Sequence, residues 1–526
     1  MITLSVQNSH NASICETNDN EIVYFQEAER LDGIKKSTNW TILLRKYTNT
    51  KIDKFIFVHS SSDYPTDKKH IENVLQQYNI TYKKIEYKID HHFYHACASF
   101  FNSGLEESYV FVIDGAGCFD HFDYPTSEII SLYLFKKNKY KKIFKVYCSE
   151  KEHINNKNYF INTLSLGSAY LLVKQILNVK EEGSVMALSC YGNNDLNNFK
   201  FFTEKFNHFT TIQKDIFDIQ LPYYKNNTTA LSKLIQTRLE EVVINYVKNI
   251  VKNKKRNLCV SGGVFQNTVL NSKLIDLVSN LYVDPCADDS GISMGAALWE
   301  INKNKFIKKQ INTLFLGDSP NYNCLNNNKG YMVKYEDVAK LISEGNIVAI
   351  YQGKNEIGKR ALGNRSFLYD PRDKYAKEKI NLLKNREWFR PTAGTVLHEH
   401  AHDWFDLKSK TESKFMSYVF KVKKPDIPGI THVDNTCRIQ TLTRDQNFHY
   451  YNLINAFYNL TGVPMLLNTS FNLAGKPLVN SVQDAINTTN SENNYEFKFT
   501  YFPELFSDAT ALEHFKSRND RALFEK

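Results

Sequence analysis

The chain has 526 residues, 42% hydrophobic and 13% aromatic, with only 12 prolines; disorder throughout is excluded and the length suffices for two to four domains. Nine cysteines, an odd number with no C-x-x-C pair, exclude a small disulfide-stapled scaffold and point to a reducing compartment, expected to be the cytoplasm. The 66 Lys+Arg against 57 Asp+Glu leave a net charge of +9, spread over stretches such as Lys136 to Lys145 and Lys252 to Arg256; these read as solvated faces rather than a nucleic-acid groove, because aromatic interleaving is missing.

In chain order, the opening Met1 to Gln7 lacks the basic region of a signal peptide, and no apolar run approaches the ~20 residues that span a bilayer, so no membrane role is expected. Apolar runs ending in polar or glycine turns predict strands at Ile2 to Val6, Phe55 to Val58, Val110 to Ile113, Leu258 to Val260 and Ile347 to Tyr351. Helical spacing occupies Ser168 to Leu177 and Leu234 to Val251, so the pattern is α/β. Short Asn/Lys-rich pieces such as Asn326 to Lys329 read as loops. The polar stretch from Lys303 to Gly330 is the expected boundary between residues 1–310 and 311–526.

Four segments of the first half carry chemistry. In His91-His92-Phe93-Tyr94-His95 a helix would place His91 and His95 one turn apart on one face, where two imidazoles can share a metal. Val110 to Gly117 is a buried strand delivering Asp114 into a turn whose Gly115 and Gly117 let backbone N–H groups approach a phosphate. Leu258 to Asn267 repeats that access through Gly262 and Gly263, before a helix near Thr268. Asp288-Asp289-Ser290-Gly291 then sets a carboxylate ahead of a small-residue helix suited to close packing. Two histidines with two acids form a mixed N/O donor set for iron or another divalent metal beside a nucleotide.

In the second half, Gly353 to Ser366 concentrates Lys354, Lys359, Arg360 and Arg365 around three glycines. Lys384 to Pro391 adds Arg386 and Arg390, and Thr436 to Thr441 adds Arg438. Arginine forks grip oxyanions in two-pronged fashion, so the set suits a polyanion. Gly462 to Asn472 runs a strand into the donors Asn468, Ser470 and Asn472, which could line a small polar ligand.

Taken together, His91 to Phe101, Asp114-Gly115, Gly262-Gly263-Val264 with Asn267, and Asp289-Ser290-Gly291 resemble the O-carbamoyltransferases of nodulation-factor and antibiotic biosynthesis. His10-Asn11-Ala12-Ser13 and Glu27-Ala28-Glu29-Arg30 match that family's opening. The strings R-A-L-G-x-R-S, R-E-x-F-R-P and L-N-T-S-F-N match its second domain in order and spacing. The resemblance implies an N-terminal domain of the actin-like ATPase superfold, a duplicated ribonuclease-H-like unit similar to the tRNA threonylcarbamoyl-transfer subunit. It implies a C-terminal α/β domain that makes carbamoyl-adenylate from ATP and carbamoyl phosphate, with Mg²⁺ on the leaving pyrophosphate.

By the same resemblance, iron (Fe²⁺) would be held by His91, His95, Asp114 and Asp289, with Gly262 and Gly263 against the nucleotide. Arg360, Arg365, Arg390, Arg438, Asn468 and Ser470 would surround the ATP phosphates and carbamoyl phosphate. His10 would act as general base or orient the acceptor, a small-molecule hydroxyl. A nucleotide or nucleic-acid acceptor and a non-catalytic nucleotide-binding module are the competing readings, and a homodimer is left open. The chain departs from the family at Glu182 to Leu188, which lacks a lysine after Gly183. It also departs in the tail from about Asn487, where no closing strand is expected and the residues read as an acceptor-specific or disordered extension. The acceptor-pocket loops are expected at Lys35 to Thr41 and Cys118 to Pro125.

Overall fold

The structure is a computed structural model describing residues 1–59, 67–117, 126–155, 157–193, 202–205, 209–212, 227–252, 254–322, 330–490, 497–504 and 521–525. The Cys118 to Pro125 and Asn326 to Lys329 loops lie outside the described residues. The chain divides into two compact units, residues 1–32 with 36–311, and residues 33–35 with 312–526. Among the described residues no helix is long and apolar enough to cross a membrane.

The first unit contains two sheets. One is built from β1 (Ile2–Gln7), β2 (Ser13–Asn18), β3 (Glu21–Glu27), β4 (Lys51–Val58) and β5 (Thr81–Lys88) in the order β3-β2-β1-β4-β5. β1 is antiparallel to β2 and parallel to β4, and β4 is parallel to β5. Alternation fails in β1 because it is covered on both faces: every residue after Ile2 is buried. β5 closes the edge and, with Lys83, Lys84 and Lys88, carries the charge that keeps an edge strand from pairing further. Leu4, Val6, Phe55 and Phe57 pack with Trp40, Leu43, Leu44, Ile71 and Leu75 to form the core beneath.

The second sheet repeats the plan. β6 (Glu107–Ile113), β7 (Thr126–Lys136) and β8 (Lys139–Ser149) form an antiparallel meander, continued by the short β9 (His153–Asn155) and β10 (Asn158–Ile161). A separate hairpin follows, β11 (Phe202–Lys205) with β12 (Phe209–Ile212). β13 (Asn257–Ser261) then pairs parallel with β6, and β14 (Asn280–Val283) pairs parallel with β13. The order β14-β13-β6-β7-β8 is therefore β5-β4-β1-β2-β3 over again, with the same sense at every junction. The same five-strand order in both sheets of one unit, the second extended by β10 and β9, defines the duplicated ribonuclease-H-like, actin-like ATPase fold.

Two helices join these halves. His91–Asn102 is buried along its whole length, and Gly291–Asn302 lies against it. A Cβ on Gly295 would stand 1.9 Å from the Tyr94 carbonyl oxygen, and one on Gly291 would stand 2.1 Å from the Cys286 carbonyl. Gly295 is thus what lets the two helix backbones touch, and Gly291 what lets the preceding turn close onto the start of its own helix.

The second unit is built on a sheet of β15 (Gly330–Val333), β16 (Ile347–Tyr351), β17 (Arg365–Tyr369), β18 (Ala393–Leu397), β19 (Phe405–Asp406), β20 (Val419–Val422), β21 (Thr436–Leu442), β22 (Met465–Ser470), β23 (Phe497–Phe502) and β24 (Arg521–Glu525). The tail departs from expectation. β23 runs parallel to β16, β24 runs antiparallel to β23, and Phe499, Tyr501 and Phe502 are buried. Its F-K-F-T-Y-F alternation is a strand signal that the flanking Asn/Glu-rich residues conceal.

The basic stretch at Lys136 to Lys145 is only in part a solvated face. It forms the β7–β8 hairpin, in which Lys136, Lys137, Lys139 and Lys141 are exposed while Lys145 is buried against Glu128. That pair holds Glu128 down: burial works to raise its carboxyl, and Lys145 with the neighbouring His92 outweighs it, to about 2.

Candidate metal centre and anion site

Asp114 leaves the end of β6, His91 and His95 stand on one face of the His91–Asn102 helix, and Asp289 precedes the Gly291–Asn302 helix packed on it. Their ligand atoms all lie within 4.8 Å of one another and all four residues are buried. The His91 and His95 Nε2 atoms are 3.2 Å apart. His91 Nε2 is 3.6 Å from Asp114 Oδ2 and 3.5 Å from Asp289 Oδ1, while His95 Nε2 is 3.4 Å and 3.8 Å from the same oxygens.

Burial works against a charged His95, but Asp114 and Asp289 outweigh it and lift the imidazole to about 10. Burial likewise works to raise Asp114, and His91 and His95 hold it well below the usual carboxylate range instead. Asp289, which burial also pushes up, is held to about 2 by His10, His91 and His95. Two buried carboxylates thus demand a positive charge between them.

The donors fit a divalent ion. Asp114 Oδ1 accepts from the Gly115 N–H at 2.7 Å, whereas its Oδ2, pointing at both imidazoles, is buried and accepts no hydrogen bond. Donors roughly 2.1 Å from a tetrahedral cation stand about 3.4 Å apart, the spacing found here, and an N₂O₂ set suits iron or zinc.

His10, with its side chain 57% exposed, places Nδ1 3.4 Å from Asp289 Oδ2. It therefore occupies the open side of the cluster. Gln7 shapes this loop, accepting from Ser9 and donating to the Asn11 carbonyl, and Ser9 Oγ donates to Asp289 Oδ2 at 2.8 Å.

The glycine candidates resolve into two kinds. A Cβ on Gly262, whose φ is +93°, would stand 2.3 Å from the Ile113 carbonyl, and one on Gly263 would stand 3.0 Å from Asp114 Oδ1. These glycines bring the end of β13 against Asp114. The Gly115 carbonyl accepts from the Ser165 and Ser168 hydroxyls, and Gly117 packs against His92 and Glu128. Asn267 serves the local structure, since its Oδ1 caps the Thr268–Leu274 helix at Leu270 N–H and its amide exchanges hydrogen bonds with Gln236. Sequence reading missed Ser9, Ser261 and Asp284. Asp284 carried the same signal as Asp114, an acid at a buried strand's end, and burial raises it to about 6 against hydrogen bonds from Cys286 and Ser261.

In the second unit Arg438, on β21, is crowded by other guanidinium groups. Burial first, then Arg360, Arg390 and Arg386, depress its protonation well below the usual arginine range. Such mutual repulsion marks a place that an anion would relieve.

Arg365 acts differently from the other arginines. It is fully buried, donates to the carbonyls of Gln352, Asn364 (2.9 Å) and Gly353 (3.0 Å), and stacks 3.6 Å over the Tyr351 ring. It clamps the loop, while its buried Nε has no hydrogen-bond partner among the described residues. Glu356 completes the clamp, its Oε1 accepting from the N–H groups of Leu362 (3.0 Å), Asn364 (3.3 Å) and Arg365 (3.1 Å). Asn468 donates to Ala361 O and Thr395 Oγ1. Ser470 and Asn472 are drawn together by Lys384, whose Nζ lies within 2.9 Å of a carbonyl and a side-chain oxygen of each and shares its three N–H donors among them.

The first unit is a duplicated ribonuclease-H-like fold with a buried His/Asp cluster, and the second is an α/β unit with a cluster of arginines. Residues 10–298, more than half of the chain, match the model of the carbamoyltransferase N-terminus, and residues 339–498 match that of the carbamoyltransferase C-terminus. The chain belongs to the carbamoyltransferase family and is an enzyme of that class. An uncharacterized protein of Methanocaldococcus jannaschii is 30% identical over 523 residues, covering 92% of this chain and 96% of that one. Nodulation protein NolO of Bradyrhizobium diazoefficiens is 33% identical over 439 residues, covering 76% of each. Nodulation protein NolNO of Sinorhizobium fredii is 29% identical over 484 residues, covering 84% of this chain and 68% of that one. Among solved structures, full-length HypF in its phosphate- and nucleotide-bound form aligns at a TM-score of 0.38 and 14% identity, covering 57% of this chain and 46% of that one. Strand order, not that score, defines the fold.

Proposed function

We propose that the chain is an ATP-dependent O-carbamoyltransferase, forming carbamoyl-adenylate from carbamoyl phosphate and ATP and passing the carbamoyl group to a hydroxyl of a small-molecule, sugar or nucleotide acceptor. The observation that carries the reading is the convergence of His91, His95, Asp114 and Asp289 within 4.8 Å in a chain of this family.

In the arginine-rich unit, a water molecule hydrolyses carbamoyl phosphate to carbamate and phosphate, and a carbamate oxygen attacks the α-phosphorus of ATP as pyrophosphate leaves. That displacement spreads negative charge over the phosphoryl oxygens. Arg438, Arg360, Arg390 and Arg386 meet it with fixed positive charge, needing no reorganisation. Arg365 and Glu356 hold the loop that carries Arg360.

At the His/Asp site the acceptor oxygen attacks the carbamoyl carbon and AMP leaves. His10 takes the hydroxyl proton, and the Asp289 carboxylate stabilises the resulting imidazolium, a reading supported by the exposure of His10 and its contact with Asp289. His91, His95, Asp114 and Asp289 would hold a divalent ion, which would supply Lewis-acid polarisation there.

The test separates the two half-reactions. Arg438→Ala is expected to abolish carbamoyl-phosphate-dependent pyrophosphate release from ATP. His95→Ala is expected to keep that release and lose transfer, read by mass spectrometry over a panel of sugars, nucleosides and DNA. If both variants, folded, lost both half-reactions equally, the division of labour would be wrong.

A further inference from the structure

His95 has a second nitrogen, and its surroundings are as specific as those of the first. Nδ1 lies 3.3 Å from Ser261 Oγ at the end of β13, and Ser261 Oγ donates to Asp284 Oδ2 at 2.9 Å just beyond β14. Asp284 Oδ1 in turn accepts from the Cys286 N–H at 3.0 Å. All three side chains are buried, so water does not compete for these bonds. The chain of donors has one direction. A carboxylate only accepts, so the serine proton points to Asp284, and the serine oxygen is left to accept from Nδ1–H. Nε2 then presents its lone pair toward Asp114, Asp289 and His91.

We propose that Ser261 and Asp284 are positioning residues that fix the ring orientation and tautomer of His95 for metal binding, through the relay His95 Nδ1–H to Ser261 Oγ–H to Asp284. The inference rests on the reading of His95 as a metal ligand. Partners of this kind on a ligand histidine are worth about 10- to 100-fold in affinity.

Asp284→Asn tests the direction of the relay. The amide would keep its oxygen on Cys286 N–H and turn its NH₂ toward Ser261. The serine proton would then point to Nδ1 and force the proton of neutral His95 onto Nε2, the wrong nitrogen. Ser261→Ala removes the link altogether, and Ser261→Thr preserves the hydroxyl.

The experiment titrates Co²⁺ into the full-length protein, following affinity by equilibrium dialysis and the ligand-field bands in the visible spectrum, with circular dichroism and thermal unfolding as folding controls. Expected is a loss of affinity of about 10- to 100-fold with altered bands in Asp284→Asn, a loss in Ser261→Ala, and near-native behaviour in Ser261→Thr. Asp284→Asn added to Ser261→Ala should cost little more, because the relay is already cut, whereas two independent packing defects would add. Native affinity and spectrum in folded Asp284→Asn and Ser261→Ala, or full additivity in the double variant, would overturn the relay. If Asp284→Asn does not fold, the contrast of Ser261→Ala with Ser261→Thr decides alone. Failure of the unmodified protein to bind Co²⁺ would remove the metal reading itself and this inference with it, a result distinguishable from failure of the relay.

Discussion

Gly295→Ala tests whether the His/Asp cluster is set by backbone contact between two helices. An alanine Cβ would stand 1.9 Å from the Tyr94 carbonyl oxygen, and ordinary contact begins at about 3.4 Å, so the backbones must part by about 1.5 Å at that point. Propensity alone says the opposite: Gly to Ala inside a helix gains about 1 kcal/mol. Overpacking costs ~1–3 kcal/mol, and a clash between two rigid backbones belongs at the upper end. The net expectation is a loss of about 2 kcal/mol, or roughly 4 °C in the melting temperature of a unit this large. The same movement separates Tyr94, next to His95, from the helix that follows Asp289, opening donor spacings now at 3.5 to 3.8 Å. Co²⁺ affinity should therefore fall at least tenfold. Differential scanning calorimetry and Co²⁺ titration read the two effects separately. A Gly295→Ala variant that is more stable than the parent, with unchanged Co²⁺ affinity, would refute the reasoning.

Other consequences are as direct. Arg365→Ala should destabilise the second unit by about 3 kcal/mol, since three buried carbonyls lose a charged donor together, and chemical denaturation should show it. Glu356→Ala should leave the folded protein with a much reduced rate of pyrophosphate release, measured in the presence of carbamoyl phosphate and ATP, because three N–H groups lose the acceptor that shapes the loop carrying Arg360. Glu128 has a depressed folded-state pKa, so its stabilising contribution is present above the ordinary glutamate range and is lost as pH falls from about 4.5 toward about 2. Replacing the pair by Glu128→Gln with Lys145→Met should flatten the acid limb of the stability curve in that window, measured by urea unfolding across pH. Removal of residues 497–526 takes away the partner of β16 and Glu504, which accepts from Gly353 N–H at 2.7 Å, and limited proteolysis should find the second unit loosened.

The sequence carries the His/Asp cluster well and the network behind it poorly, for a physical reason. His91 and His95 are legible because helix geometry converts a four-residue spacing into one face, and Asp114 because a buried strand ending in an acid and glycines has few other uses. Ser261 and Asp284 were unreadable as a pair. Their link depends on β13 and β14 lying side by side, which local spacing does not encode. The arginines show the converse: Arg360, Arg365 and Arg438 look alike in a motif, yet among the described residues Arg365 donates to loop carbonyls and stacks on the Tyr351 ring, while Arg438 is crowded by like charges. Which arginine faces an anion is decided by the carbonyls within its reach, a tertiary property.

Duplication explains why the cluster sits where it does. β1 and β6 are the matching first strands of the two halves, and both are followed by a loop that ends at the same cluster. After β1 come Ser9 and His10, which meet Asp289 at 2.8 and 3.4 Å; after β6 comes Asp114, 3.4 Å from His95. The matching fourth strands behave alike, β4 leading to His59, whose Nδ1 is 3.3 Å from Asn8 Nδ2, and β13 leading to Ser261 against His95. In α/β sheets, strand carboxyl ends are where side chains gather around a ligand, because the loops leave there together. A doubled fold brings two such ends to one place. The halves have then diverged in what they contribute, the second supplying the acid and the support for His95, the first supplying the exposed histidine. The histidine pair comes from neither sheet but from the helix that joins them. A change to that helix should therefore disturb the ligands contributed by both halves, whereas a change in the β7–β8 hairpin should leave His10 and Asp289 in register.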